Sequence, residues 1–188
     1  MSTLEPSAET MQGLRQVFSC IDNTTLEGSD NEAKVEALCR RSIELQDPSR
    51  GIVHVAAVCV YPVFVSFARK CLQNSGIKIA SVAGGFPAGQ TPLPLKLAEV
   101  RYALAEGADE IDMVISRGAF LAGDYSRVFD EIAAIREASQ GSVFSKLANF
   151  KLPKTSLTLR NWPSMLVPIS SRPRLARSLS LLRWKPPM

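Results

Sequence analysis

Between residues 18 and 140, short apolar runs alternate with segments whose apolar residues recur every three or four positions. A short apolar run bounded by turn formers suits a buried strand, and the wider spacing suits a helix packed on one face. Phe18–Asp22 is the first such run and predicts a strand, ending in the polar Asp22-Asn23-Thr24-Thr25. Ser29 or Asp30 is placed to cap a helix running through Glu32 to Cys39. Val53 to Val60 is continuous and β-rich, as in a parallel strand buried on both faces, and Tyr61-Pro62 stops it. A helix over Val63 to Gln73 follows, terminated by Asn74-Ser75-Gly76. Lys78–Ala83 predicts the third strand, and Gly84-Gly85-Phe86-Pro87-Ala88-Gly89 a tight turn after it. Pro94–Glu106 predicts a helix, Asp109–Ile115 the fourth strand, and Tyr125–Ala138 the fourth helix, with Asp124 as its cap. Four consecutive β-α units predict an α/β fold with a parallel sheet and right-handed crossovers. Periodicity alone leaves both an open sheet and part of a barrel standing.

Composition adds a break in the chain. Its 188 residues are 46% hydrophobic and 21% charged, as in a soluble globular protein, and are fewer than the roughly 250 of a complete eight-fold β/α barrel. The net charge of +4 hides two regions. Residues 141–188 hold nine Lys or Arg and no acid, half the prolines and both tryptophans, leaving residues 1–140 with 13 basic and 18 acidic side chains. The reading is therefore an ordered segment, 1–140, joined to a basic, Pro/Ser/Arg-rich tail, 141–188, expected to be irregular. The tail has no regular aromatic–basic interleaving, so no nucleic-acid partner is expected. No apolar stretch reaches membrane-spanning length and the first residues do not resemble a secretory signal, which makes the cytoplasm the default location. Cys20, Cys39, Cys59 and Cys71 lack a CxxC spacing and His54 is the sole histidine, so reduced thiols, a structural imidazole and no metal site are expected.

In parallel α/β folds chemistry collects at the carboxyl ends of the strands. Those ends carry Asp22 and Thr24, Cys59 and Tyr61, the Gly84–Gly89 loop, and Asp112 with Ser116. Asp112 lies inside the apolar run Ile111-Asp112-Met113-Val114-Ile115, where an unpartnered carboxylate would be costly. Either a catalytic role or a structural carboxylate bonded from a neighbouring strand accounts for it. Asp22 is open to the same two readings, including a turn cap with Thr24 and Thr25. Cys59 alone reads as a buried thiol, and the glycine-rich loop matches no nucleotide-binding fingerprint.

Ile21-Asp22-Asn23-Thr24-Thr25-Leu26, Ala57-Val58-Cys59-Val60-Tyr61-Pro62, the segment from Ala80 to Gly89 and the segment from Gly107 to Ile115 resemble the deoxyribose-phosphate aldolases, in order and spacing. The resemblance covers roughly residues 15–140 and implies the (β/α)8 TIM-barrel family, here a partial barrel of about four β-α units. It implies a class I lyase that cleaves 2-deoxy-D-ribose 5-phosphate to glyceraldehyde 3-phosphate and acetaldehyde in deoxyribonucleotide catabolism, through a lysine Schiff base and without cofactor or metal. It also implies that Asp112 relays protons near the substrate hydroxyls and that Asp22, Thr24 and Cys59 line the pocket.

The family's Schiff-base segment, similar to DFIKTSTGK, is absent. Lys34, Lys70 and Lys96 fall on predicted helices, where solvated surface places are expected. Lys78 starts the third strand, away from the chemistry, and Lys146, Lys151, Lys154 and Lys185 lie in the tail. No Schiff-base lysine is therefore assigned, and the chain is expected to be inactive. The third base of each codon can be joined to the first two bases of the next. From Asn161 to Arg177, permitted synonymous codons can then spell LAIDAGADFIKTSTGK, and from Arg177 to Pro187 ISVSATLEAA. That hidden string resembles the missing region and predicts a change of reading frame between residues 141 and 160. Lone half-barrel edges would favour homo-oligomers or aggregation. The alternative reading is a non-catalytic binding or regulatory fragment, and a third is a different phosphosugar barrel enzyme, which the four matched segments disfavour.

Overall fold

The computed structural model describes residues 7–47, 49, 51–52, 54–139 and 143–144. Helix α1 (Ala8–Phe18) precedes four β-α repeats. These are β1 (Asp22–Thr24) with α2 (Glu32–Glu44), β2 (Ala57–Val60) with a 3₁₀ turn at Pro62–Phe64 and α3 (Val65–Cys71), β3 (Lys78–Ala83) with α4 (Leu93–Ala105), and β4 (Glu110–Met113) with α5 (Arg117–Leu121) and α6 (Tyr125–Ala138). A two-residue strand β5 (Val143–Phe144) follows. The sheet is parallel in the order β1-β2-β3-β4-β5. Consecutive parallel neighbours joined by helices are the arrangement that the alternating sequence signals predict.

Strand β3 and helix α6 have the predicted bounds, and the Asp124 carboxylate caps α6 by accepting from the Arg127 N–H at 3.2 Å. The first predicted strand is displaced. Phe18 ends α1, whose N-terminus the Ser7 hydroxyl caps, and the ladder begins only at Asp22. A run as short as Phe18–Asp22 carries too few residues to separate the two periods, and Phe18 packs on the core from a helix instead. Helix α2 is capped by Asn31, not Ser29 or Asp30. The β2 ladder runs Ala57–Val60 within the predicted run and burial already begins at Val55, while Val53 lies outside the described residues. His54 has its Nδ1 2.7 Å from the Val55 carbonyl oxygen, in keeping with a structural imidazole.

The strands divide their side chains by size. Val58, Val60 and Ile79 point to one face, where they join Val35, Cys39, Val65, Ala68 and Leu72 from α2 and α3. Ala57, Cys59, Ala80 and Val82 point to the other, covered by Leu26, Tyr61 and Phe86. Large aliphatics fill the helix layer, while small residues on the second face leave room for side chains from the strand ends. No helix among the described residues is long and apolar enough to cross a membrane.

All four cysteines are free thiols. Burial, with Cys71 and Glu36 adding to it, pushes the Cys39 thiol from its ordinary 9.0 up to about 12. The unfolded chain thus releases this proton near pH 9 and the folded chain only near pH 12. The group's contribution to stability is constant below pH 9 and is lost progressively as pH rises towards 12. Urea midpoints measured between pH 8 and pH 11 should fall for the native chain and fall less steeply for Cys39→Ala.

Candidate active site

Register decides which residues meet. Thr24 aligns with Cys59, Cys59 with Ala80, Ala80 with Glu110, and Val82 with Asp112. Residues level across a parallel sheet share a face, and so do residues two apart on one strand. Asp22, Thr24, Cys59 and Asp112, the four residues singled out in the sequence, therefore project from one face of the sheet, the face lined by small side chains. The structure brings Cys59 and Asp112 into contact: the thiol donates to Asp112 Oδ2 at 3.8 Å, across 53 residues of chain. Thr24 is exposed, and its hydroxyl donates to the Asp22 carbonyl at 3.0 Å. Asp30 bonds the turn that follows β1. Its carboxylate accepts from the Thr25 hydroxyl and the Glu27 N–H, each at 3.0 Å.

Tyr61 and Phe86 form the wall above Cys59. Their rings meet edge to face at 6.0 Å, and the Tyr61 hydroxyl donates to the Leu26 carbonyl at 3.3 Å. Phe86 reaches this position from the β3–α4 loop, whose glycines answer a steric demand. Gly84 has φ +85°, and a Cβ there would stand 2.7 Å from the Val114 carbonyl oxygen. At Gly89, φ +71°, the Ile115 carbonyl oxygen occupies the space a Cβ would need. The N–H groups of Gly84 and Gly85 are already taken, donating to Glu99 Oε2 at 2.7 and 2.9 Å.

The lysines fall differently from their sequence reading in one case. Lys34 is exposed and bonds to Ser29 Oγ and Asp30, and Lys70 is exposed on α3. Lys96 was expected on the surface and is instead 1% exposed, with its Nζ 2.7 Å from Glu131 Oε1 and 3.0 Å from Ser116 Oγ. Its physical signal is the spacing Lys96, Val100, Ala103, which puts the lysine on the buried stripe of α4. Glu131 sits likewise between Val128 and Ile135 on the stripe of α6. Lys78 shares the face of Asp112 but lies at the opposite end of β3, ion-paired with Glu110 Oε1 at 2.9 Å. Lys146, Lys151, Lys154 and Lys185 lie outside the described residues.

Consecutive parallel β-α units in sequence order are the architecture of the β/α-barrel class of proteins. The chain belongs to the DeoC/LacD family of aldolases, whose family model matches residues 17–145. It is 41% identical over 138 residues to the human deoxyribose-phosphate aldolase, a match covering 66% of this chain and 42% of the human one. A Caenorhabditis elegans protein named for the same activity is 41% identical over 174 residues, covering 88% of this chain and 57% of its own. The chain spans about half the length of the curated relatives it matches. Among solved structures, the tetrameric deoxyribose phosphate aldolase of Aeropyrum pernix superposes with a TM-score of 0.58 at 28% identity, over 76% of this chain and 59% of that one. An aldolase called QR15 gives 0.60 at 29% identity, over 70% and 54%.

Proposed function

We propose that residues 1–140 carry the front half of a deoxyribose-phosphate aldolase site, and that this chain does not turn over because it has no Schiff-base lysine. The observation that carries the first half is the contact between Cys59 and Asp112 on the small-residue face, with Asp22 and Thr24 alongside. In this reading Asp112 relays a proton, which requires a carboxylate at a strand end within hydrogen-bond reach of the reacting group. Asp22, Thr24 and Cys59 line the pocket for a small phosphorylated sugar.

The second half rests on the lysines. A Schiff-base nucleophile must lose its proton near neutral pH, so it needs a desolvated or cation-flanked amine beside the reacting carbon. Among the described residues, Lys78 and Lys96 each face a carboxylate at ion-pair distance, and Lys34 and Lys70 are exposed. The missing lysine is then the one in the hidden string, with residues from the 141–160 window onward read from another frame. The family match ending at residue 145 supports a switch in that region. The C. elegans match covers 88% of the chain, so it runs to about residue 165 or beyond, past the 141–160 window, and counts against a switch inside that window.

Two products of the gene test this: the chain as it stands, and the chain with residue 161 onward read in the hidden frame. The first is expected to release no acetaldehyde from deoxyribose 5-phosphate, and the second to release it catalytically. Turnover by the chain as it stands would overturn the reading, as would an uninterrupted transcript encoding this tail together with an inactive frame-restored product.

A further inference from the structure

Helix α4 grips the β3–α4 loop at both ends. Glu99 holds its start through the Gly84 and Gly85 N–H groups. Lys96, one turn earlier, reaches its end through Ser116, which follows β4. Ser116 Oγ accepts from Lys96 Nζ at 3.0 Å and lies 2.6 Å from Glu131 Oε2 and 3.4 Å from the Gly89 carbonyl oxygen. Glu131 in turn pairs with Lys96 at 2.7 Å, and both charged side chains are nine-tenths buried or more. Three side chains, from α4, α6 and the residues after β4, thus meet beside the Gly89 carbonyl of the loop.

The loop's backbone makes two close crossings. Gly84 runs against the Val114 carbonyl and Gly89 against that of Ile115, directly after the strand that bears Asp112. Between those crossings the loop delivers Phe86 onto the face formed by Ala57, Cys59, Ala80 and Val82 and against Tyr61. A shift at either end would move the aromatic wall, and the carboxylate two residues before Val114 would feel it through the shared backbone.

We propose that Lys96, Ser116 and Glu131 form a buried positioning network that sets the β3–α4 loop, and through Phe86 the wall over Cys59 and Asp112. None of the three is assigned to touch a reacting atom. The functional meaning of the network rests on reading this face as the aldolase site, but its existence can be read without substrate.

Removal of the Ser116 hydroxyl in Ser116→Ala uncouples the ion pair from the loop while keeping the pair. Hydrogen bonds to charged groups are strong enough that their loss should speed local opening by roughly tenfold to a hundredfold. In the full chain, amide exchange over residues 84–91 and native-state alkylation of Cys59 by iodoacetamide, followed by peptide mass mapping, should both accelerate by that factor. Exchange in α2 and α3 should stay as in the unmutated chain, and Ser116→Thr, which keeps the hydroxyl, should restore both rates. Unchanged rates at the loop and Cys59, or acceleration spread evenly over the protein, would overturn the proposal. Failure of the aldolase assay would leave these rates untouched, so the two readings fail separately.

Discussion

In the product read in the hidden frame, Asp112→Asn should lower kcat by about 10²- to 10⁴-fold, the range of a lost general acid–base group. Asparagine keeps the size of the side chain and an oxygen that can accept from Cys59, whose thiol stands 3.8 Å from Oδ2. What it removes is the ability to take and return a proton. Substrate binding, which the proposed function shares among Asp22, Thr24 and Cys59, should change much less, so the loss should appear in kcat rather than KM. Steady-state kinetics on deoxyribose 5-phosphate separate the two. An unchanged kcat would return Asp112 to the structural reading, a carboxylate kept for its bond with the neighbouring strand.

Lys96→Met should be the most damaging single change to the fold. The ammonium is 1% exposed, and its removal leaves Glu131, itself 5% exposed, facing Ser116 without a counter-charge. Removing one member of a buried ion pair costs about 3–5 kcal/mol, because the remaining charge stays desolvated. The double variant Lys96→Met with Glu131→Leu should recover most of that loss, since an apolar pair of similar volume needs no counter-charge. Urea midpoints of the three proteins measure this. A single variant within about 0.5 kcal/mol of the unmutated chain, the scale of an ordinary surface substitution, would mean that the pair is not buried as the structure has it.

The repeating scheme of this fold is legible in the sequence because local and tertiary demands agree there. Lys78–Ala83 is apolar apart from Lys78 and Ser81 and is bounded by Gly76 and Gly84, and Tyr125–Ala138 has both a helical period and a capping aspartate, so both elements fall where they are predicted. Phe18 shows the limit: the five residues Phe18–Asp22 cannot distinguish a strand from the last turn of a helix, and packing against the core decides. The site divides in the same way. Strand-end position and side-chain parity suffice to put Asp22, Thr24, Cys59 and Asp112 on one face. The Lys96–Ser116–Glu131 ring is harder to foresee, because a lone lysine on a helix is usually solvated and its partner lies 35 residues away. Its trace is the spacing that sets Lys96 with Val100 and Glu131 with Val128 and Ile135.

The central claim, that this chain keeps the aldolase face and lacks its nucleophile, is tested most directly by trapping. The chain and its frame-restored counterpart are each incubated with deoxyribose 5-phosphate and borohydride, which reduces a lysine imine to a stable amine, and intact masses are measured. The chain as it stands is predicted to gain no adduct, and the frame-restored product to gain one per molecule, on the first lysine of the FIKTSTGK string. A stoichiometric adduct on a lysine of the chain as it stands would contradict the account.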